Sequence, residues 1–342
     1  MSETETTGTG GRKGPMELVS RNKLHLVSGR ANLPLARDIA DHLGVELGEP
    51  NLDQFANGEI HCRFGESLRG MDVFIIQTHG ASGSMSINDA LFEHLIMVDA
   101  ARRASAKRIT AVMPLFGYAR QDRKSEGREP ITAKLVANMF GAAGANRLMS
   151  LDLHSGQIQG FFDPPFDHLV AMPVLVDYLA THLGDDLVVV SPDAGRVKVG
   201  ERYANALNAD LAIVHKRRVR GAKNLAEAKE VAGTVEGRTC VLIDDMIDTG
   251  SSLVAAAEAL VDRGAREVHA AATHALLSGP AVDRLKNSDI RKVVVTDTLP
   301  LPPEKEIDKI EVLSVAGIIA DAIDAVFENT SVSEIFGGAN QM

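Results

Sequence analysis

Between Cys240 and Leu253 the chain reads CVLIDDMIDTGSSL: an apolar run (Val241, Leu242, Ile243), then Asp244, Asp245 and Asp248, then Thr249, Gly250, Ser251 and Ser252. A helix-forming run, LVAAAEALVDRG, follows and is closed by Gly264. This pattern predicts a buried strand, a tight acidic loop and a helix N-terminus. Backbone N–H groups of Thr249–Ser252, backed by the helix dipole, would cradle a phosphate. Paired carboxylates at a strand end can accept hydrogen bonds from two neighbouring hydroxyls, as on a ribose, or bind Mg²⁺ through water. A phosphate cradle beside a diol reader suits a sugar phosphate. The plain alternative is an acidic strand-to-helix turn with Ser and Thr capping.

Four other segments carry groups able to do chemistry. Phe116–Pro130 (FGYARQDRKSEGREP) is a long charged loop holding Arg120, Gln121, Arg123, Lys124 and Arg128. Loops of that length in a compact domain are usually lids or binding loops, and a basic lid could close over a polyphosphate and exclude water. Asp152-Leu153-His154 ends a predicted strand, and a His there can bind a metal or polarise a phosphate oxygen, although a lone His is often structural. His215-Lys216-Arg217-Arg218 follows another strand; residues two apart on an extended segment share a side, so Lys216 and Arg218 can converge on one anion while Arg217 faces away. Phe55-Ala56-Asn57-Gly58-Glu59 places an aromatic face, an amide and a carboxylate around a turn, groups that can stack on and hydrogen-bond a purine, or form a plain hairpin.

The elements that must position these groups alternate. Strands are predicted at Leu24–Ser28, Asp72–Gln77, Arg108–Met113 and Arg147–Asp152, separated by helices at Ile87–Ala104 and from Ile131 to about Ala142. After Pro164-Pro165 a second series begins, with strands at Leu187–Ser191, Leu211–His215, Cys240–Ile243, Glu267–Thr273, Lys292–Thr296 and Glu311–Ser314. Such alternation indicates an α/β fold with parallel sheets, in which ligands sit at the carboxyl ends of strands.

The bulk properties narrow the field. A chain of 342 residues usually holds two domains. A net charge of −10 and the absence of Trp argue against general nucleic-acid binding. Basic clusters within an acidic chain (Arg120 to Arg128, and Lys216 to Lys223) suggest a local anionic ligand or a solvated surface run. No apolar run approaches the roughly 20 residues that span a bilayer, so no membrane partner is expected. Met1–Met16 lacks the apolar centre of a signal peptide and reads as a disordered tail. Cys62 and Cys240, without metal or redox spacing, read as reduced thiols of a cytoplasmic protein.

The acidic stretch resembles the phosphoribosyl pyrophosphate-binding loop of type I phosphoribosyltransferases, and DDMIDTG is most similar to ribose-phosphate pyrophosphokinases. FGYARQDRK resembles that family's flexible loop, and DLHSGQIQGFFD its signature. The resemblance runs from about Leu24 to Phe336. It implies two tandem type I phosphoribosyltransferase-like domains with mostly parallel sheets, at 21–165 and 166–330, between tails at 1–20 and 331–342. It implies transfer of the diphosphoryl group of ATP to the 1-hydroxyl of ribose 5-phosphate, with Mg²⁺ as cofactor. Lys216 and Arg218 would be catalytic. Phe55, Asn57, Glu59, Arg120, Gln121 and His154 would bind ATP, the Phe55 turn acting across a subunit interface. Asp244, Asp245, Asp248, Thr249, Gly250, Ser251 and Ser252 would bind ribose 5-phosphate, with His154 and Asp193 (in SPDAG) as metal contacts. Arg196 departs from the family after SPDAG, and Ser125 and Glu126 depart in the lid tip. Family members are typically hexamers, activated by phosphate and inhibited by ADP at a site matched here by Ser67, Arg69, Arg128 and Ser331. The alternatives are a salvage phosphoribosyltransferase, which shares the acidic loop without needing the basic lid or the purine turn, and a non-catalytic synthetase-associated subunit, which should have lost the charged site residues.

Overall fold

The computed structural model describes residues 23–184, 186–217 and 228–336. Arg218, the basic run around Arg220 and Lys223, the N-terminal segment before Lys23 and residues 337–342 lie outside them.

The first half runs β1 (Leu24–Ser28), α1 (Leu33–Leu43), β2 (Leu47–Gly48), β3 (Asn51–Gln54), β4 (Ile60–Arg63), β5 (Asp72–Ile76), α2 (Ile87–Arg103), β6 (Arg108–Met113), α3 (Thr132–Ala143), β7 (Arg147–Leu151) and β8 (Phe166–Leu169). The second half runs α4 (Met172–His182), β9 (Leu187–Ser191), α5 (Val197–Leu207), β10 (Asp210–Arg217), β11 (Ala228–Ala232), β12 (Thr239–Ile247), α6 (Ser251–Asp262), β13 (Glu267–Ala275), α7 (Ala281–Lys286), β14 (Ile290–Thr296), β15 (Ile310–Leu313), α8 (Ala316–Phe327) and α9 (Val332–Ile335).

Two sheets result, in the orders β2-β1-β5-β6-β7-β8 and β11-β10-β9-β12-β13-β14-β15. Every pairing in them is parallel except that of β10 with β11. Strand β5 (DVFII) is buried along its whole length, its apolar run headed by Asp72 in an ion pair with Arg108, as a strand covered on both faces must be. The hairpin β3–β4 stands apart from both sheets. Its Asn57-Gly58 signal forms a three-residue loop: Phe55 N–H donates to Glu59 C=O at 2.8 Å, and Gly58 takes φ 93°.

Three expectations need correcting. The paired prolines do not separate the sheets, because β8 follows them and joins the first sheet beside β7. Residues 331–336 are not a tail: Val332 on α9 and Phe336 just after it bury against the core. The acidic residues Asp244 and Asp245 belong to the strand itself. β12 extends to Ile247 because β13 continues beside it to Ala275, and the ladder satisfies the backbone of the acidic segment.

The halves share one apolar core, in which Leu26 and Phe74 of the first sheet meet Val189, Val241 and Val294 of the second through α1, α4 and α8. Polar ties cross the same boundary. Thr78 Oγ1 donates to Thr298 C=O at 2.5 Å, Asn32 Nδ2 to Asp297 C=O at 2.8 Å, and Arg108 Nη1 to Asn329 Oδ1 at 2.9 Å. Thr273 Oγ1 donates to Asp152 Oδ2 at 2.6 Å, joining the end of β7 to β13. That tie sets the carboxyl end of one sheet against the other.

Candidate active site

In the second sheet the chain passes from β9 outward to β10, then returns to place β12 on the other side of β9. The connections after β9 and β12 therefore diverge, which opens a crevice at their carboxyl ends. Asp193 follows β9, and Asp244 and Asp245 lie near the end of β12. His154, carried in by the Asp152 tie, completes the group. Its Nδ1 lies 2.7 Å from Asp245 Oδ2. Arg196 Nη2 lies 2.5 Å from the same oxygen, and its Nε is 3.5 Å from Asp244 Oδ1.

Electrostatics divide the two carboxyls. Burial, with the neighbouring Asp245 charge, pushes Asp244 up to about 8. Burial alone would raise Asp245 too, but the hydrogen bond from His154 and the Arg196 charge hold it below the usual carboxylate range. One firmly ionised carboxylate and one readily protonated neighbour can accept and donate hydrogen bonds side by side, which suits a pair of sugar hydroxyls.

The loop after β12 turns at Gly250 into α6. Gly250 takes φ 70° at the start of α6, a conformation that favours glycine, and the helix begins without a side-chain cap. Its first-turn amides and dipole are therefore left without a side-chain partner beside Thr249, as an anion would need. Arg284 Nη1 donates to Thr249 C=O at 2.8 Å and fixes the loop from below. Asp248 is held below its ordinary range, against burial, by hydrogen bonds from Ser278 and Arg120. Arg120 thus brings the lid to the acidic loop. Gln121 anchors the base of the lid, where its Oε1 accepts from Thr132 Oγ1 at 2.5 Å. At the tip, the Ser125 and Glu126 amides donate to Glu129 Oε2 at 2.7 and 3.0 Å, so these two residues shape the turn through their backbone.

Lys216 lies on β10, opposite Lys229 of β11, so its backbone has the expected extended form. Phe55, Asn57 and Glu59 are not gathered with the acidic pair. They line a separate open cavity of about 700 Å³ with Asn88 and Phe92, and Phe55 is 57% exposed. A link to the lid exists, because Tyr118 Oη donates to Asn88 Oδ1. Ser67, Arg69, Arg128 and Ser331 are all exposed, and among the described residues no hydrogen bond or ion pair joins one of them to another.

Comparisons with known proteins place the chain in a family. Residues 24–144 match the N-terminal domain of ribose phosphate pyrophosphokinase, and residues 222–337 match the phosphoribosyl synthetase-associated domain. The chain belongs to the ribose-phosphate pyrophosphokinase family. It is 52% identical to the ribose-phosphate pyrophosphokinase of Streptomyces avermitilis, over 94% of this chain and 98% of that one. It is also 52% identical to that of Caldanaerobacter subterraneus, over 92% and 98%. A crystal structure of phosphoribosylpyrophosphate synthetase from Mycobacterium smegmatis superposes with a TM-score of 0.85 at 48% identity, covering 90% of this chain and all of that one. A ribose-phosphate pyrophosphokinase is a transferase, and this membership sets aside the salvage and non-catalytic alternatives. Among the described residues no helix is long and apolar enough to cross a membrane.

Metal-binding capacity follows from donor chemistry. Among the described residues no three His, Cys, Asp or Glu side chains are placed to enclose an ion. His154 presents Nδ1 to a carboxylate, an arrangement that orients the ring and leaves Nε2 for a metal. Asp193 uses Oδ1 to cap the amides of Gly195 and Arg196 at 2.7 and 3.1 Å. One or two protein ligands beside waters and phosphates fit Mg²⁺, which dehydrates reluctantly.

Some site features were not anticipated. Glu93, fully buried on α2, accepts from Arg30 N–H at 2.8 Å and from Arg30 Nε at 2.7 Å, fixing the loop after β1. His79 and His94 form a buried pair beneath the lid root, where Gly117 N–H donates to His79 Nδ1 at 3.1 Å. The signal for Glu93 and His94 was their helical spacing from the buried residues Ala90 and Met97.

Proposed function

We propose that the chain transfers the diphosphoryl group of ATP to ribose 5-phosphate by attack of the sugar 1-hydroxyl on the β-phosphorus. A bond forms between O1 and Pβ, the bridge from Pβ to the α-phosphate breaks, and AMP departs. The observation that carries this reading is the convergence on one crevice of the acidic pair, the uncapped start of α6 and the lid through Arg120.

In this reading Thr249, Gly250, Ser251 and Ser252 hold the 5-phosphate, while Asp244, Asp245 and Asp248 take the ribose hydroxyls. Lys216 and Arg218 stabilise charge on the transferring group, since phosphoryl chemistry rests on positioning and electrostatics. Arg120, Gln121 and His154 take the ATP phosphates, and Phe55, Asn57 and Glu59 take the adenine of a neighbouring subunit's nucleotide. His154 and Asp193 would hold Mg²⁺, which when bound neutralises phosphate charge. The proposal extends to a cytoplasmic homo-oligomer, a hexamer by family resemblance, in which the two sheets are cores of two related domains. Phosphate and ADP would act at Ser67, Arg69, Arg128 and Ser331, so Arg69→Ala should abolish phosphate activation.

The deciding assay is AMP release from ATP, with Mg²⁺ present, in the presence and absence of ribose 5-phosphate. Release that requires the sugar phosphate supports the reading. Release independent of the sugar, or none in either case, rejects it.

A further inference from the structure

Arg196 has no part in the roles above, yet it makes the closest ionic contact in the crevice. It sits between the Asp193 turn and α5 and is only 13% exposed. Its Nη2 is 2.5 Å from Asp245 Oδ2 and 2.8 Å from His154 Nδ1, and its Nε is 3.5 Å from Asp244 Oδ1. Its own amide is capped by Asp193 Oδ1 at 3.1 Å. One guanidinium therefore touches the acidic pair and the imidazole through its side chain, and Asp193 through its backbone.

The chemistry of these contacts is specific. A guanidinium is permanently charged and planar, so it can serve two carboxylates from one fixed position. In a partly buried crevice its field on neighbouring cations is screened much less than at the surface. His154 Nδ1 and Arg196 Nη2 both donate to Asp245 Oδ2, so the cation acts on the ring through the carboxylate they share, leaving the ring's other nitrogen open to a metal.

We infer that Arg196 is a positioning residue of the substrate site: it locks Asp245 against His154 and supplies the resident counter-charge of the Asp244–Asp245 pair. The inference rests on the reading of this crevice as the ribose 5-phosphate site. With a protein cation already on the carboxylates, a divalent ion finds little net negative charge there until nucleotide phosphates arrive with it. The ribose hydroxyls then meet a fixed carboxylate in place of a mobile one. Removing the charge should strengthen metal binding by the nucleotide-free protein and weaken use of the sugar.

The test compares Arg196→Gln, Arg196→Met and Arg196→Lys with the unaltered protein. Mn²⁺ binding without nucleotide is measured by water-proton relaxation, and steady-state kinetics by AMP release. Gln keeps a hydrogen bond to Asp245 without charge, Met keeps bulk alone, and Lys keeps charge. Expected is Mn²⁺ binding about tenfold tighter in the Gln and Met variants, the order of one buried like charge removed. Their kcat/KM for ribose 5-phosphate should fall about tenfold with the KM for ATP nearly unchanged, and Lys should restore both properties substantially. Unchanged Mn²⁺ binding in Gln, the variant least prone to misfold, overturns the inference. So does a Lys variant that behaves like Met. Because Mn²⁺ binding is read without turnover, failure of the proposed reaction would leave it interpretable: an inactive parent protein rejects the reaction, whereas unaltered metal affinity rejects the role of Arg196.

Discussion

Arg120 Nη2 lies 2.8 Å from Asp248 Oδ2, joining the lid to the acidic loop across the boundary between the two sheets. The side chains are 53% and 25% exposed, so solvent screens the pair and its contribution to stability is about 0–1 kcal/mol. Under the proposed function it holds the lid cation beside the residues that would take the sugar. Arg120→Ala should therefore leave the melting temperature nearly unchanged while turnover falls about 100-fold or more, the usual effect of losing one preorganised donor. Thermal melting beside AMP release checks this. A variant whose activity loss tracks its loss of stability would show the contact to be structural.

Lys216→Ala and Arg218→Ala are expected to lower turnover far more than ribose 5-phosphate affinity. In the proposed roles these cations act mainly on charge that develops during transfer, at about 2.7–4 kcal/mol per donor removed. Calorimetric titration of ribose 5-phosphate alongside turnover separates the effects. Near-normal turnover in both variants would remove these residues from the mechanism.

Acid sensitivity follows from the buried pair beneath the lid. Burial lowers His79 to about 3, and burial with the adjacent His79 lowers His94 well below its ordinary value. Both pKa values drop on folding, so their contribution to stability is present above about pH 6.5 and is lost as pH falls towards 3. Asp244 works in the opposite direction, since its raised pKa stabilises the fold as pH falls from about 8 towards 4. Comparing His94→Leu with the parent isolates the histidine. The stability lost between pH 7 and pH 5 in urea unfolding should be smaller in the variant than in the parent. Equal losses would mean that His94 is already charged in the fold.

What the sequence disclosed depended on how local the determining physics is. β1, β6 and β9 have the bounds expected from their short, largely apolar runs. The Gly58 turn rests on a backbone conformation that glycine favours, and it was legible. β12 was read four residues short, because its end is set by the length of β13, which no local pattern reports. β8 was missed because four residues after two prolines carry little periodicity of their own. In the site, each acidic and basic residue was visible as a type, and the family motifs grouped them. Arg196 registered only as a departure from a motif; its contact with Asp245, 49 positions away, is a product of the parallel pairing of β9 with β12. His79 and His94 were invisible as a pair because each belongs to a different element packed under the lid.

The last prediction concerns the purine turn. Phe55 and Phe92 are each 57% exposed and line one cavity with Asn57 and Glu59, whereas the acidic pair lines a different one. Large apolar side chains left exposed beside polar groups mark surfaces that meet a partner or a ligand. If the turn serves the nucleotide site of a neighbouring copy, a Phe55→Ala subunit still holds an intact Lys216, and a Lys216→Ala subunit still holds an intact turn. Each variant alone should be weak, the first through a raised KM for ATP and the second through lost turnover. Co-expressed with different affinity tags and purified through both, mixed assemblies should regain activity that neither variant shows, because some sites then combine a sound turn with a sound lysine. The single Phe55→Ala change should not lower the melting temperature, since an exposed ring contributes little to the core. Mixed assemblies no more active than the mean of the two variants would place the turn and the catalytic lysine in the same subunit's site.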